Sequence, residues 1–235
     1  MDTGSARRLR SVSTVLGILL TLCLLVGNVL LSTHGVAINI GLYEELWSRY
    51  GVPEETGMSM EELSRAGQAL IAYLTGESAS PQIDAVISGK SRLLFNEKEI
   101  SHLEDVRRLF ASGLSAEWIS ITAAFAATVL LTALGSRRTA SIAYFAAAAI
   151  SILILIILAI PASFDFTGWW TNFHLITFTN DLWLLDPDTD WLIKMFPENF
   201  FFSMVERIGL HAAITSAALA GVGLLLRRRR QGSQS

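Results

Sequence analysis

The chain has 235 residues, 51% of them hydrophobic, with a mean hydropathy of +0.46 and a formal net charge of -3. That is more apolar material than one soluble core of this size needs, and it is bunched rather than spread, which excludes an ordinary soluble globular domain. Cys23 is the only cysteine, so an intrachain disulfide is excluded, and its place in mid-span disfavours a reactive thiolate.

Four apolar stretches, at about 12–33, 116–135, 140–161 and 204–226, each approach the roughly 20 residues that cross the hydrocarbon core. The first follows Arg7, Arg8 and Arg10, as a signal peptide would. It is longer than an h-region and lacks an A-x-A-like cleavage site, so it reads as a retained anchor. Those arginines, Arg137 and Arg138 in the short loop after span two, and Arg227 to Arg230 in the tail put both termini and that loop on the cytoplasmic side. The expectation is a mainly α, polytopic membrane protein: a four-transmembrane-helix bundle, N-in and C-in, with a small extracytoplasmic α/β module formed by the two outer loops. The C-terminal arginines of the basic cytoplasmic tail, 227–235, read as a topology signal and a contact for anionic membrane lipid; no nucleic acid partner is expected.

The first outer segment, 34–115, is long enough to fold as a module. Met60, Leu63, Leu70, Ile71 and Leu74 predict a helix over 59–75, stopped by Gly76. Ile83–Ile87 and Arg92–Phe95 are β-prone and flank Ser88-Gly89-Lys90-Ser91, which predicts a hairpin. Asn96 and Glu99 have the spacing of a capping box and predict a helix from about 97 to 112. On it Glu99, His102 and Asp105 are three apart, so either carboxylate lies one turn from the imidazole and is placed to fix its tautomer.

The second outer segment, 162–203, is crowded with aromatic residues and belongs at the lipid headgroup level, dipping into the bilayer's outer edge. His174 lies in its middle. Asp186-Pro187-Asp188-Thr189-Asp190 opens like a calcium loop. Trp191 and Pro197 stand where the glycine and glutamate are needed, so a short helix starting at Pro187 and capped by Asp186 is predicted instead. Gly89-Lys90-Ser91 ends like a phosphate loop, yet Asp84 replaces its first glycine. There is no G-x-S-x-G elbow and no H-E-x-x-H helix. His34, His211, Asn28 and the Glu206-Arg207 pair are polar groups in or beside spans, for which helix–helix hydrogen bonding is the first reading.

His102 and His174 form the candidate apparatus, because an imidazole takes and gives a proton near neutral pH. Three readings remain open on residues alone: an enzyme, a non-enzymatic membrane protein whose outer module binds a partner, and a metal-binding or transport protein.

The strings Phe95–Val106 and Asn172–Trp183, with the run Leu192–Phe201, resemble signature segments of a bacterial four-span membrane family that includes the lipoprotein intramolecular transacylase, Lit. The resemblance implies an acyltransferase acting on diacylglyceryl-modified lipoproteins in the bacterial cytoplasmic membrane, with its active face extracytoplasmic. It would move the sn-2 acyl chain of the S-diacylglyceryl N-terminal cysteine to that cysteine's α-amino group and leave the lyso-form. It implies His102 and His174 as the catalytic residues and calls for no cofactor and no metal. Glu99, Asp105, Asn180 and Asp181 flank them as supporting candidates, Asn180 as an oxyanion donor. Trp169, Trp170 and Trp183 are candidates to line the substrate's path.

Overall fold

The computed structural model describes residues 3–228. The expected basic cluster at Arg227 to Arg230 therefore lies only partly within the described residues, and 231–235 lie outside them. The described elements run α1 Thr3–Ala37, α2 Ile40–Arg49, α3 Val52–Thr56, α4 Met60–Thr75, β1 Asp84–Ile87, β2 Lys90–Leu93, α5 Glu97–Ala133, α6 Arg137–Phe164, α7 Phe166–Thr177, α8 Trp191–Met195 and α9 Glu198–Arg228. Among them α1, α5, α6 and α9 are long and apolar enough to cross a membrane. Val15, Ile18, Phe125, Ile157 and Leu225 on these helices are each more than half exposed, a surface that is stable only against lipid. Contacts divide the chain into two units.

The first unit comprises the described parts of Met1–Thr33, Leu114–Leu158 and Gly209–Ser235. Leu20 of α1, Ala124, Ala127 and Leu131 of α5, and Ala140 and Ala143 of α6 make its apolar core. Small residues at such contacts let backbones approach closely, which is where dispersion between lipid-embedded helices is strongest. A Cβ at Gly223 would stand 3.2 Å from the Phe145 ring, and the Ser141 hydroxyl donates to the Gly223 carbonyl at 2.7 Å. Asn28 ties three helices: its amide donates to Ser151 Oγ at 3.1 Å, Ser216 Oγ at 3.0 Å and the Ala212 carbonyl at 3.4 Å, while Thr215 donates to its oxygen. Helix–helix hydrogen bonding is thus the role of Asn28, as its position in the span suggests. His211 is exposed on α9.

The second unit comprises His34–Gly113 and Ala159–Ile208. Trp47, Leu46, Leu63, Ala66 and Met195 are wholly buried in its core, and the Trp47 indole donates to the Met195 carbonyl at 2.8 Å. Helix α4 starts at its Ser59 cap and stops at Gly76 in the left-handed conformation, as its sequence predicts. Gly67 is required where α4 meets α2, since a Cβ there would come within 2.6 Å of the Trp47 ring.

The hairpin is tighter than predicted. Its turn is the pair Ser88-Gly89, with φ of 49° and 79°, and Lys90 and Ser91 already belong to β2. Both positive φ values suit a two-residue turn whose twist matches the strands. Its ladder continues through side chains: Gln82 accepts from Phe95 N–H at 2.9 Å and donates to the Phe95 carbonyl at 2.5 Å. A second departure concerns α5, which does not stop near residue 112 but runs unbroken to Ala133. No proline interrupts 108–120, and Gly113, the stop signal there, is carried within the helix. Its charged turns come first, and the stretch poor in charge begins beyond Arg108. Finally, no helix starts at Pro187. Asp186 accepts from Asp188 N–H at 2.9 Å in a turn, and helix α8 starts after Asp190. The competition between an Asx-type turn and a helix start is settled here for the turn.

Candidate active site

The site is built on the first turns of α5 and on α7, both within the second unit. Helix α5 is opened by the predicted capping box: Asn96 N–H donates to Glu99 Oε2 at 2.8 Å and Glu99 N–H to Asn96 Oδ1 at 3.0 Å. The other oxygen of Glu99 accepts from Leu192 N–H at 2.6 Å, so one wholly buried carboxylate holds the starts of both α5 and α8. Asp190 completes the joint, accepting from Asn96 Nδ2 at 2.8 Å and from Asp186 N–H at 2.8 Å. Burial pushes the Glu99 carboxyl above its ordinary value and Asp190 adds to that push, against the opposing backbone donors. Glu99 therefore does not meet His102 as a tautomer-setting partner; its acceptors are spent on backbone N–H groups.

One turn on, His102 is 7% exposed. Burial first, and then the neighbouring His174, hold its pKa down to about 4, with Asp105 opposing. His174 sits on α7, which begins at the Asp165 cap and is flanked by Phe173 and Trp170. It is 8% exposed, and burial lowers its pKa while a hydrogen bond to the Trp170 carbonyl opposes this. Both shifts favour the neutral imidazole at pH 7. The ring centroids of His102 and His174 are 6.3 Å apart, so residues 72 positions apart in sequence share one site.

His174 Nδ1 lies 2.8 Å from the Trp170 carbonyl one turn earlier. A carbonyl only accepts, so Nδ1 carries the proton and Nε2 of the neutral ring carries the lone pair. Phe178 packs on both imidazoles, with centroids 5.3 Å from His102 and 5.7 Å from His174. Trp183 stacks on His174 at 4.8 Å. Trp170 meets the same ring edge-on at 4.7 Å and is itself stacked on Phe201 and Phe173. Trp169 stacks on Phe166 instead, and no ring contact joins it to either histidine.

Asp105 and Asn180 are brought together rather than onto the imidazoles. Asn180 Nδ2 donates to Asp105 Oδ2 at 2.8 Å, and its oxygen accepts from Leu182 N–H at 3.1 Å. Asp181 is exposed, and its carbonyl accepts from Leu184 N–H. Lys98 donates to the Leu184 carbonyl. These bonds fix the segment that carries Trp183. Among the described residues two buried side-chain polar atoms have no hydrogen-bond partner, His102 Nδ1 and Trp183 Nε1, and both belong to this ring cluster.

Sequence reasoning missed Asn96 and Asp190 as joint residues, Phe178 as the ring common to both histidines, and the Trp170 carbonyl as the acceptor for His174. Only the last had a local signal, the four-residue spacing within a helix. A hollow of about 390 Å³ on this unit is lined by Tyr50, Glu55, Lys194 and Glu198 among others and includes no histidine. The histidine cluster holds two imidazoles displaced by burial, and a perturbed pair is the better mark of chemistry. Among the described residues no three His, Cys, Asp or Glu side chains converge as a metal cage.

A comparison with curated protein sequences finds no match. Among solved structures, the membrane integral lipoprotein intramolecular transacylase Lit from Bacillus cereus is similar, with a TM-score of 0.77 and 22% identity over 94% of this chain and 98% of that one. A variant of the same protein with a histidine replaced by arginine gives 0.82 at 19% identity, with both chains covered in full. Its histidine-to-alanine counterpart gives 0.79 at 19% identity over 97% of this chain and 99% of that one. At these identities the likeness is one of fold. The family profile described as lipoprotein intramolecular transacylase Lit, however, matches residues 18–201, most of the chain. This chain belongs to the Lit family of lipoprotein intramolecular transacylases, a family of acyltransferases.

Proposed function

We propose that the chain moves the sn-2 acyl chain of a lipoprotein's S-diacylglyceryl cysteine onto that cysteine's own α-amino group, with His102 and His174 as the catalytic residues. The observation that carries this reading is the pair of buried imidazoles 6.3 Å apart, both of which burial biases toward the neutral form. The reaction needs a proton taken from the attacking amine and one given to the departing glyceryl oxygen, and a general acid–base pair is worth about 10²- to 10⁴-fold in such a step. His174, with Nδ1–H held by Trp170, presents Nε2 as the base. His102 then serves the leaving oxygen. The amine nitrogen bonds to the ester carbon, the ester C–O bond breaks, and the proton passes from nitrogen through imidazole to the glyceryl oxygen. Donor and acceptor belong to one substrate, so holding them in an attack geometry supplies much of the acceleration.

Trp170 and Trp183, packed on His174, line the approach of the glyceryl-cysteine head, and Trp169 extends that aromatic face toward the acyl chains. The arginine pattern supports an N-in, C-in topology in the bacterial cytoplasmic membrane, with 34–115 and 162–203 forming the extracytoplasmic side where lipoproteins are displayed. Membrane lipid is the surrounding partner of the exposed apolar faces.

The test is tandem mass spectrometry of a lipoprotein's N-terminal lipopeptide from cells lacking other N-acylating enzymes. An intramolecular shift leaves the total mass unchanged, so fragment ions must place the acyl chain on nitrogen. The native chain is expected to give that fragment and the His102→Ala and His174→Ala variants to lose it. A free amine with well-expressed native chain overturns the reading in favour of a partner-binding role.

A further inference from the structure

We infer that Trp183 is a further catalytic residue, its indole N–H donating to the carbonyl oxygen of the ester under attack; this rests on the acyl-transfer reading above. Trp183 Nε1 is sealed from solvent and unpartnered, as is His102 Nδ1. A buried donor without an acceptor is costly, so a native fold seldom keeps one, and here both orphans lie in one ring cluster around His174. Trp183 touches that ring face to face at 4.8 Å, and His102 stands 6.3 Å from it. A ligand that reaches these nitrogens must replace the ring packing that now covers them.

The two orphans differ in what they offer. An indole nitrogen only donates, so the partner it lacks is an acceptor, while an imidazole nitrogen donates or accepts according to its tautomer. An ester under attack by an amine supplies what each lacks: a carbonyl oxygen that gains charge for the indole, and a departing glyceryl oxygen for His102. When the nitrogen–carbon bond forms, the carbonyl π electrons move onto oxygen, and Trp183 N–H meets that charge; when the glyceryl C–O bond breaks, they return. Trp183 itself is neither oxidised nor deprotonated.

Asn180, the candidate donor from sequence, is less suited. Its amide is bonded to Asp105 and its oxygen to Leu182 N–H. Those same bonds, with Lys98 on the Leu184 carbonyl, hold the Trp183 backbone on both sides, and a donor fixed before the reaction needs no reorganisation when charge develops.

The experiment uses the full chain in lipid nanodiscs with a synthetic S-diacylglyceryl lipopeptide, and fragment ions report N-acylation at several substrate concentrations. Trp183→Phe removes the N–H and part of the ring. Trp183→3-benzothienylalanine keeps the bicyclic ring and replaces N–H by sulfur, so it leaves the stack on His174 in place. The expected result is that both lower kcat by about 10²-fold, the cost of losing one oxyanion donor, with KM within about threefold. The benzothienyl variant decides the matter. If its kcat falls less than tenfold, or if only KM rises, the indole packs without donating and the inference is overturned. If the native chain itself leaves the amine free, the acyl-transfer reading fails instead.

Discussion

Asn28 in the first unit and the histidine pair in the second are both buried, yet they are treated in opposite ways. Every polar atom of the Asn28 side chain is bonded: three acceptors surround its amide and Thr215 donates to its oxygen. At the histidine cluster one imidazole nitrogen and one indole nitrogen are left without partners although sealed from solvent. A satisfied buried network rigidifies; an unsatisfied one is costly and persists where something else uses it. The contrast separates a polar group that holds helices together from one that is kept ready for a substrate.

The largest expected effect falls on the unsatisfied side. Replacing His174 or His102 by alanine is expected to lower transfer by about 10³-fold while the unfolding temperature in detergent falls only modestly, for the lost ring packing. A parallel loss of folding would erase the distinction between the two regions.

Glu99 tests it from the same unit. It carries three hydrogen bonds to backbone and cap groups and none to a histidine. Glu99→Ala leaves two N–H groups buried without acceptors and is expected to destabilise the protein by about 3 kcal/mol, read by thermal unfolding. Activity per folded molecule is expected to fall as well, since α5 carries His102 from that joint.

Asn28→Leu is the matched experiment in the span region. Hydrogen bonds between membrane helices average well under 2 kcal/mol, so a loss of about 1–2 kcal/mol is expected, with transfer per folded molecule unchanged within about twofold. A collapse of activity in stable protein would give Asn28 a role in the chemistry.

Proton titration sharpens the same contrast. Burial holds the His102 pKa down to about 4 and the His174 pKa below the ordinary imidazole value. The unfolded chain then binds more protons than the folded one below about pH 6.5, so stability is full above that pH. It declines as the pH falls toward 4. NMR of labelled imidazoles is expected to show both rings neutral at pH 7 and His102 titrating near pH 4. A midpoint at 6.5 for His102 would mean that the cluster is open to water. The smallest effect belongs to Asn180→Ala, expected to change the transfer rate by about threefold or less, because its amide is committed to Asp105 and Lys98 still holds the Leu184 side of Trp183.

Much of the fold was legible because its signals are local. The spans follow from apolar length, α4 from its periodicity and Gly76, and the opening of α5 from Asn96 and Glu99. The errors were also local competitions. The pair Ser88-Gly89 turns in two residues where four were expected, and Asp186 closes a turn where a helix start was expected. Helix α7 was hidden because an aromatic-rich stretch has no polar face to give it a period, so its 12 residues read as interfacial loop.

By itself the sequence determined four apolar spans, two longer segments between them and two histidines worth watching. Only the tertiary structure decided that His102 and His174 meet, that Glu99 serves the backbone rather than an imidazole, that Asn180 is spent on Asp105, and that Trp183 keeps a buried donor unused. The physical reason is range. Helix caps, turns and apolar runs are settled within a few residues, whereas hydrogen-bond satisfaction is a property of whichever distant groups folding brings within about 3 Å.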